Sequence, residues 1–352
     1  MRWVGIDTHK YYIHVTELRE DGSQESYKIK LDEEGITDLK DRLGPDAHVV
    51  IEATFNSFSL YDELVPRVGR IVVAHPSQTH GASKLHLKND KVSSEILARL
   101  LASDFIQEVW VPDSKLRGLR SLVEYRWALT NSRVATMGRI HALLDKEIVH
   151  LPSTRLMNKK GRCFLENMEW REPHIALAHD SMLRIYSATQ QELDCVDAAL
   201  RKWSQRSEEA RLLMTIPGVG SVIAAFIMSQ IGSINRFLNP KKLCAYAGIV
   251  PRVFCSGQTS RTGRITRAGR HLLRWALSLA LPHVIRRPSP LREFHERLSL
   301  RRPKRVAHVA CMRKLLTLIW HMLSFQQPYR YEDKELTFRK LKAADTLKST
   351  KN

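Results

Sequence analysis

Between Glu209 and Glu293 the chain has no acidic residue. The same stretch carries Arg211, Arg236, Lys241, Lys242, Arg252, Arg261, Arg264, Arg267, Arg270, Arg274, Arg286, Arg287 and Arg292. An ordinary solvated surface mixes its signs, so charge of one sign over this length points to a surface that tracks phosphates. Cysteine is scarce. The five, Cys163, Cys195, Cys244, Cys255 and Cys311, form no Cys-x-x-Cys pair and are odd in number. That argues against a disulfide scaffold or a zinc module and suits a reducing interior. Long apolar runs are missing too. Residues 212–235 lack charge but are broken by Pro217, Gly218 and Gly220 early and by Ser229, Gln230 and Gly232 late, which reads as short buried helices and no membrane partner. Met1-Arg2-Trp3-Val4-Gly5 has no signal-peptide apolar core.

The 352 residues are 43% hydrophobic, enough for two or three domains with sizeable cores. Lys and Arg number 56 against 37 Asp and Glu, a formal net charge of +19. A polyanionic partner follows, most simply nucleic acid; a basic but merely soluble protein is the plain alternative.

Periodicity predicts an α/β layer over the first hundred residues. Strands are expected at 2–7, 11–18, 26–31, 48–52 and 70–74, and helices at 33–43, 57–65 and 92–103, with an antiparallel opening hairpin. Two long polar helical stretches follow, about 114–150 and 180–209, separated by a turn-rich segment; they read as an antiparallel coiled coil or helical arm. From about 210 to 326 the pattern is helical, glycine-punctuated and basic, closing with an amphipathic helix at 306–323. The charged tail after Tyr329 is expected to fray. The domains expected are 1–110, 111–209, 210–328 and a tail at 329–352.

Three carboxylates stand where a metal-dependent phosphoryl-transfer site needs them. Asp7 ends the first strand, Glu52 ends the strand at 48–52, and Asp90 precedes a helix. Strand ends on one sheet edge are where ligands bind in such layers. Each has a plain reading as well: a strand-terminal Asp is often a turn residue, and Asp90 could be a helix cap.

Two motifs stand in the basic region. In Ile216-Pro217-Gly218-Val219-Gly220, Gly218 and Gly220 would let backbone N–H groups approach a phosphate; the plain reading is a helix–helix turn. Further on come Ala245-Tyr246-Ala247-Gly248-Ile249-Val250-Pro251, Cys255-Ser256-Gly257, and Arg261-Thr262-Gly263-Arg264-Ile265-Thr266-Arg267-Ala268-Gly269. A serine beside a glycine and among arginines suits attack on a phosphodiester, with the arginines stabilising developing charge. Cys255 is the competing nucleophile, and a plain loop is the competing structure. Lys241, Lys242, Arg252, Arg261, Arg264, Arg267, Arg270 and Arg274 are the candidate nucleic-acid contacts.

Gly5-Ile6-Asp7-Thr8-His9-Lys10, Ile51-Glu52-Ala53-Thr54 and Lys88-Asn89-Asp90 together resemble the N-terminal domain of the IS110/IS1111-type transposases and Piv-like DNA recombinases. That family's first domain is RNase H-like, similar to the RuvC resolvase, with a DEDD acidic tetrad. Residues 216–274 resemble its C-terminal transposase domain, helix-hairpin-helix-like element included, and the helix at 306–323 its closing segment. The resemblance implies an α/β N-terminal domain, a helical coiled-coil middle and a mainly α C-terminal domain. It implies a DNA transposase or recombinase that uses Mg2+ or Mn2+ at Asp7, Glu52 and Asp90, with Ser256 as nucleophile. It also implies DNA as substrate, a structured noncoding bridge RNA as guide, and a homodimer or tetramer.

One position departs from the pattern. The family repeats an Asp three residues after the first in its Lys-(Thr/Asn)-Asp-x-x-Asp run; here that residue is Ser93, a poor carboxylate substitute. Glu95 is nearby, but helical geometry turns it about 200° away from position 93. Two other readings therefore compete: an RNase H-like structure-specific nuclease that needs only the carboxylates, and a nucleic-acid-binding protein with weakened catalysis. An invertase is a variant within the recombinase class.

Overall fold

The computed structural model describes residues 1–76, 89–151, 156–256 and 259–345. It divides into two compact units, Met1–Pro112 and Asp113–Asn352.

In the first unit, β1 (Arg2–Thr8), β2 (Tyr12–Arg19) and β3 (Gln24–Lys30) form an antiparallel meander. After α1 (Glu33–Arg42), β4 (Ala47–Glu52) pairs with β1 in parallel; after α2 (Ser57–Leu64), β5 (Arg70–Ala74) pairs in parallel with β4. The mixed sheet runs β3-β2-β1-β4-β5. This is the expected α/β layer. Both faces of its centre are covered, which is why β1 and β4 read as near-continuous apolar runs. Val4, Ile6, Ile13, Val15, Leu39 and Leu64 form the core on one side; Val50, Val72, Leu97 and Leu101 form it on the other.

α3 (Asp90–Ala102) belongs to the second face and brings Asp90 to the end of β1. It lies so close that a Cβ on Gly5 would stand 2.0 Å from the Ser94 carbonyl oxygen and 2.6 Å from the Ala98 nitrogen. Only glycine at position 5 permits that backbone approach. The buried Ser94 hydroxyl then shares hydrogen bonds with Thr16 Oγ1 (2.7 Å) and His14 Nδ1 (3.1 Å), and donates to the Lys91 carbonyl (3.0 Å). The helix begins two residues earlier than its apolar pattern, because Asn89, not Asp90, is the N-cap: its side chain accepts from the Lys91 N–H. Asp90 is thereby released from the capping role open to it in the sequence.

The second unit is mostly helical. α4 (Ser114–Lys146) and α6 (Pro173–Arg206) lie side by side, with α5 (Lys159–Glu166) between them in the chain. Arg126 pairs with Asp197 (2.6 Å), and Arg133 donates to Gln190 (2.6 Å). As one residue number rises the other falls by the same step, so the helices are antiparallel. α6 starts earlier than its polar pattern suggested, with Pro173 in its first turn, where a missing N–H costs nothing.

The core of this unit wraps α8 (Ser221–Ile231), whose residues from Ala224 to Ile231 are all buried. Around it stand α4, α6, α7 (Glu208–Leu213) and α10 (His271–Ile285). α9 (Pro240–Tyr246), α11 (Pro290–Ser299) and α12 (Lys304–Phe325) extend the packing. α12 is long and apolar enough to cross a membrane by length and composition. Its Cys311, Leu315, Leu316, Ile319 and Leu323, however, are buried in the core.

The region 210–326 is mainly helical, as expected, with one addition: β6 (Pro251–Ser256) and β7 (Thr259–Ile265) pair antiparallel as a two-stranded ribbon. One expectation fails: as far as Asp345 the tail does not fray, since Lys334–Asp345 forms α13. Its half-buried Lys340 donates to the carbonyls of Met214, Ile216 (2.7 Å) and Val219 (3.0 Å), and Leu341 packs against the core. One of the cations that made the tail look solvated, Lys340, is instead engaged by backbone carbonyls at the turn between α7 and α8.

Candidate functional site

Asp7 is the penultimate residue of β1 and is buried at 7% exposure. Parallel pairing of Ile6 with Ile51 sets it beside the end of β4, where Glu52 stands. Asp90 arrives from the first turn of α3. Burial pushes the Asp7 carboxyl up to about 6, and the charges of Glu52 and Asp90 push the same way against an opposing pull from His9. Glu52 and Asp90, two further expected tetrad positions, therefore both act on Asp7 electrostatically, though Glu52 stands outside the close cluster that Asp7 and Asp90 form.

His9 joins them. One oxygen each from Asp7 and Asp90 and one ring nitrogen of His9 lie within 4.8 Å of one another. His9 Nε2 is 3.6 Å from Asp7 Oδ2 and 3.3 Å from Asp90 Oδ1, yet it is buried and makes no hydrogen bond. The ring is held in place: it stacks on Tyr12 (centroids 4.7 Å apart), and Asn56 Nδ2 donates to the His9 carbonyl (3.0 Å). The Tyr12 hydroxyl donates to Asp90 Oδ2 (2.8 Å), fixing that carboxylate. Two carboxylates and an imidazole converging around an unsatisfied nitrogen suit a divalent cation. His9 was overlooked in the sequence because a His in a tight turn has no helical or strand spacing to mark it. The one available signal was its place two residues after Asp7.

Ser93 lies one turn beyond Asp90 on α3, half-buried. Glu95 does not replace it: its carboxylate pairs with Arg99 at 2.9 Å, along the helix and away from the cluster.

The serine motif lies on the ribbon. Ser256 closes β6 and pairs in register with Thr259; Cys255 pairs with Ser260. Gly257 and Lys88 lie outside the described residues, and for Cys255 and Ser256 the backbone alone is described. The base of the ribbon is clamped where two glycine motifs cross. A Cβ on Gly248 would meet the Ala268 carbonyl oxygen at 2.1 Å, and one on Gly269 would meet that of Tyr246 at 2.1 Å. Both glycines have positive φ, +69° and +105°. Thr266 N–H donates to Val250 and Arg267 N–H to Gly248 across the same junction.

Two family profiles match this chain. One, a DEDD-type transposase profile, covers residues 4–148; the other, described as Transposase IS116/IS110/IS902 family, covers residues 210–296. The chain belongs to the IS116/IS110/IS902 transposase family. Its relatives include a probable family 20 transposase of Pseudomonas aeruginosa, 24% identical over 254 residues, 69% of this chain and 74% of that one. The transposase for insertion sequence element IS1111A of Coxiella burnetii is 25% identical over 260 residues, 69% and 68% of the two chains. A pilin gene-inverting protein of Moraxella bovis is 25% identical over 294 residues, 80% and 81%. As a member of this family the chain is a DNA transposase or recombinase, and its mixed sheet is that of a RuvC-like DEDD transposase domain followed by a mostly helical region.

Against that family pattern, the candidate nucleic-acid contacts fall into two groups. Lys241, Lys242, Arg252, Arg261, Arg264 and Arg267 are exposed. Arg270 and Arg274 are engaged internally: Arg270 Nε donates to the Tyr246 hydroxyl (2.9 Å), and Arg274 Nη1 to the Ala247 carbonyl (2.8 Å). Tyr246 in turn donates to the Gln230 carbonyl, while Arg120 and Arg236 donate to those of Ser229 and Ile231. Arg236 from the basic run and Arg120 from α4 thus satisfy C-terminal carbonyls of the buried α8, where cations are favoured, while Arg270 and Arg274 tie up Tyr246 and the Ala247 carbonyl beside it.

The Pro-Gly turn divides similarly. Gly218, at φ +82°, is pressed against α10: a Cβ there would stand 2.5 Å from that of His283. Gly220 has open space around it. Gly218 is thus accounted for by helix packing, and the Lys340 contacts occupy the carbonyls of this turn.

Proposed function

We propose that this transposase cleaves and exchanges DNA strands through Ser256, assisted by a divalent cation held by Asp7, His9, Glu52 and Asp90, with position 93 contributing no carboxylate. The observation that carries the proposal is the convergence of Asp7, His9 and Asp90 around the unsatisfied His9 Nε2. Mg2+ or Mn2+ suits the carboxylates. When bound, such an ion polarises the phosphate and stabilises the charge that builds up as the bond breaks. Within the chain, Tyr12 holds the Asp90 carboxylate and the Tyr12 ring holds His9, so the donors are preorganised. Attack by the Ser256 hydroxyl forms a phosphoserine ester to one DNA end and releases a deoxyribose hydroxyl, which carries away the proton. A hydroxyl from the exchanging strand then displaces the serine. The exposed arginines of the ribbon stabilise the pentacovalent charge.

In this reading residues 1–110 are the metal-binding nuclease domain, residues 111–209 a coiled-coil-like arm for assembly as a dimer or tetramer, and residues 210–328 the serine domain. A structured noncoding RNA supplies the sequence specificity by base pairing, and the protein recognises backbone and shape. Gly220 and the turn around it remain the helix-hairpin-helix-like backbone contact. The family relationship and the uninterrupted basic run support these assignments. They also fit a cytoplasmic, nucleoid-associated protein.

Trapping tests the mechanism. Incubation with Mg2+ or Mn2+, cognate RNA and element-end DNA, followed by denaturation and peptide mapping, is expected to give a DNA adduct on Ser256. An adduct on Cys255, or none, overturns the serine mechanism. The nuclease reading makes a different forecast: the Ser256→Ala protein would still cut.

A further inference from the structure

The ribbon departs from the core soon after its base. Val250 packs against the hydrophobic core, and Ile265 is half-buried. Beyond them Val253 is 58% exposed and Phe254 61%, while Arg252, Arg261, Gly263 and Arg264 are exposed as well. Two strands alone are marginally stable in water, and among the described residues none in the ribbon's exposed part joins a core. Phe254 pairs directly with Arg261 across the ladder. Its ring edge leans over Gly263, where a Cβ would stand 3.3 Å from Phe254 Cε2. An aromatic ring over a cross-strand glycine can be mere cover for that strand. Here the ring stays mostly exposed, two residues before Ser256 and opposite an arginine, in a region with no carboxylate to oppose it.

A water-exposed phenyl ring beside an exposed guanidinium matches single-stranded nucleic acid. The ring offers a stacking platform to a base, and the arginine offers two N–H donors to the neighbouring phosphate. Duplex DNA presents phosphates but buries its base faces, so the ring selects an unpaired strand. Strand exchange requires such a strand at the residue that cuts it.

We propose that Phe254 is a positioning residue that stacks on an unpaired base next to the phosphate attacked by Ser256, while Arg261 holds the adjoining phosphate. This rests on the recombinase reading of the ribbon.

The test uses the full chain and a ten-nucleotide oligothymidine with one central 2-aminopurine, beside a blunt duplex of the same length. The wild type is expected to quench the 2-aminopurine emission of the single strand. Phe254→Ala should abolish the quenching and weaken single-strand binding about tenfold or more, the loss of one stacked base. Phe254→Trp and Phe254→Tyr should restore both, and Phe254→Leu, which still covers Gly263, should not. Duplex binding should stay within about twofold in all four. Circular dichroism and a melting curve confirm the fold of each. Phe254→Leu behaving as wild type, or Phe254→Ala keeping the quenching, overturns the proposal and leaves the recombinase reading standing. A wild type that binds the duplex but not the single strand does the same. A wild type that binds neither overturns both.

Discussion

Asp90 and Ser93 sit one turn apart at the start of α3, so a carboxylate at 93 would point to the same side of the helix as Asp90. The cluster as it stands pairs two or three carboxylates with one imidazole. Replacing Ser93 by Asp adds a charge and an oxygen donor without disturbing the cap at Asn89 or the buried Ser94 network. Hard-cation affinity rises with ligand charge, so Ser93→Asp is expected to bind Mn2+ about tenfold tighter. Calorimetric titration of the full chain checks this. Unchanged or weaker binding would mean that position 93 does not face the ion, and the tetrad geometry would have to be redrawn. The three acidic positions were legible because each follows a β-branched run or opens a helix. His9 was not, since its contribution depends on Tyr12 and Asn56 holding the turn, and neither constraint is local in sequence.

At the scale of elements, the strands of the first unit and the long helices were legible from alternation and helical spacing. The ribbon and α13 were not, for opposite reasons. Val253, Phe254 and Ile265 make a strand signal too short to stand out among glycines and arginines, and the ribbon contributes little to any core. α13 has a polar sequence, and the contact that docks it is a lysine. Burial pulls the Lys340 ammonium down to about 8 from the usual 10.5. Between those values the unfolded chain keeps a proton that the folded chain has shed, so this group's share of stability grows as pH rises through that window and is lost again as pH falls toward 8. Removing the amine leaves the Met214 and Val219 carbonyls without it; the Ile216 carbonyl still accepts from the Val219 N–H. Lys340→Met is expected to cost about 1–3 kcal/mol in urea unfolding, with the deficit larger at pH 9.5 than at pH 7.5. A deficit that shrinks with rising pH would contradict the burial of this ammonium.

Across the whole molecule the charge of +19 is not one surface. The basic run from 211 to 292 splits between arginines engaged inside the fold, such as Arg236, Arg270 and Arg274, arginines paired with carboxylates beyond the run, such as Arg287 and Arg292, and arginines that face solvent. Composition cannot separate the first group from the last, because both have the same residue type and the same neighbours in sequence. What separates them is burial, since Arg252 also reaches the Thr266 carbonyl (3.3 Å) yet stays exposed, and burial depends on how α8, α9 and α10 pack. Binding to DNA separates them as well. Each phosphate neutralised by an exposed cation releases a counterion and steepens the salt dependence by about 0.9 in the log–log slope on duplex DNA. Arg252, Arg261 and Arg264 are exposed on the ribbon, so changing all three to Gln should flatten the slope by about 2.7 while leaving the melting temperature nearly unchanged. Arg270→Gln should do the reverse, because it strips the Tyr246 hydroxyl of its donor without removing a phosphate contact: the melting temperature falls and the slope holds. Fluorescence-anisotropy titrations between 50 and 200 mM salt, roughly the range over which phosphate contacts weaken most visibly, distinguish the two. If the slope followed Arg270 and ignored the ribbon, the DNA-facing side of this unit would lie at the C-terminal end of α8, and the ribbon would have no part in holding the backbone.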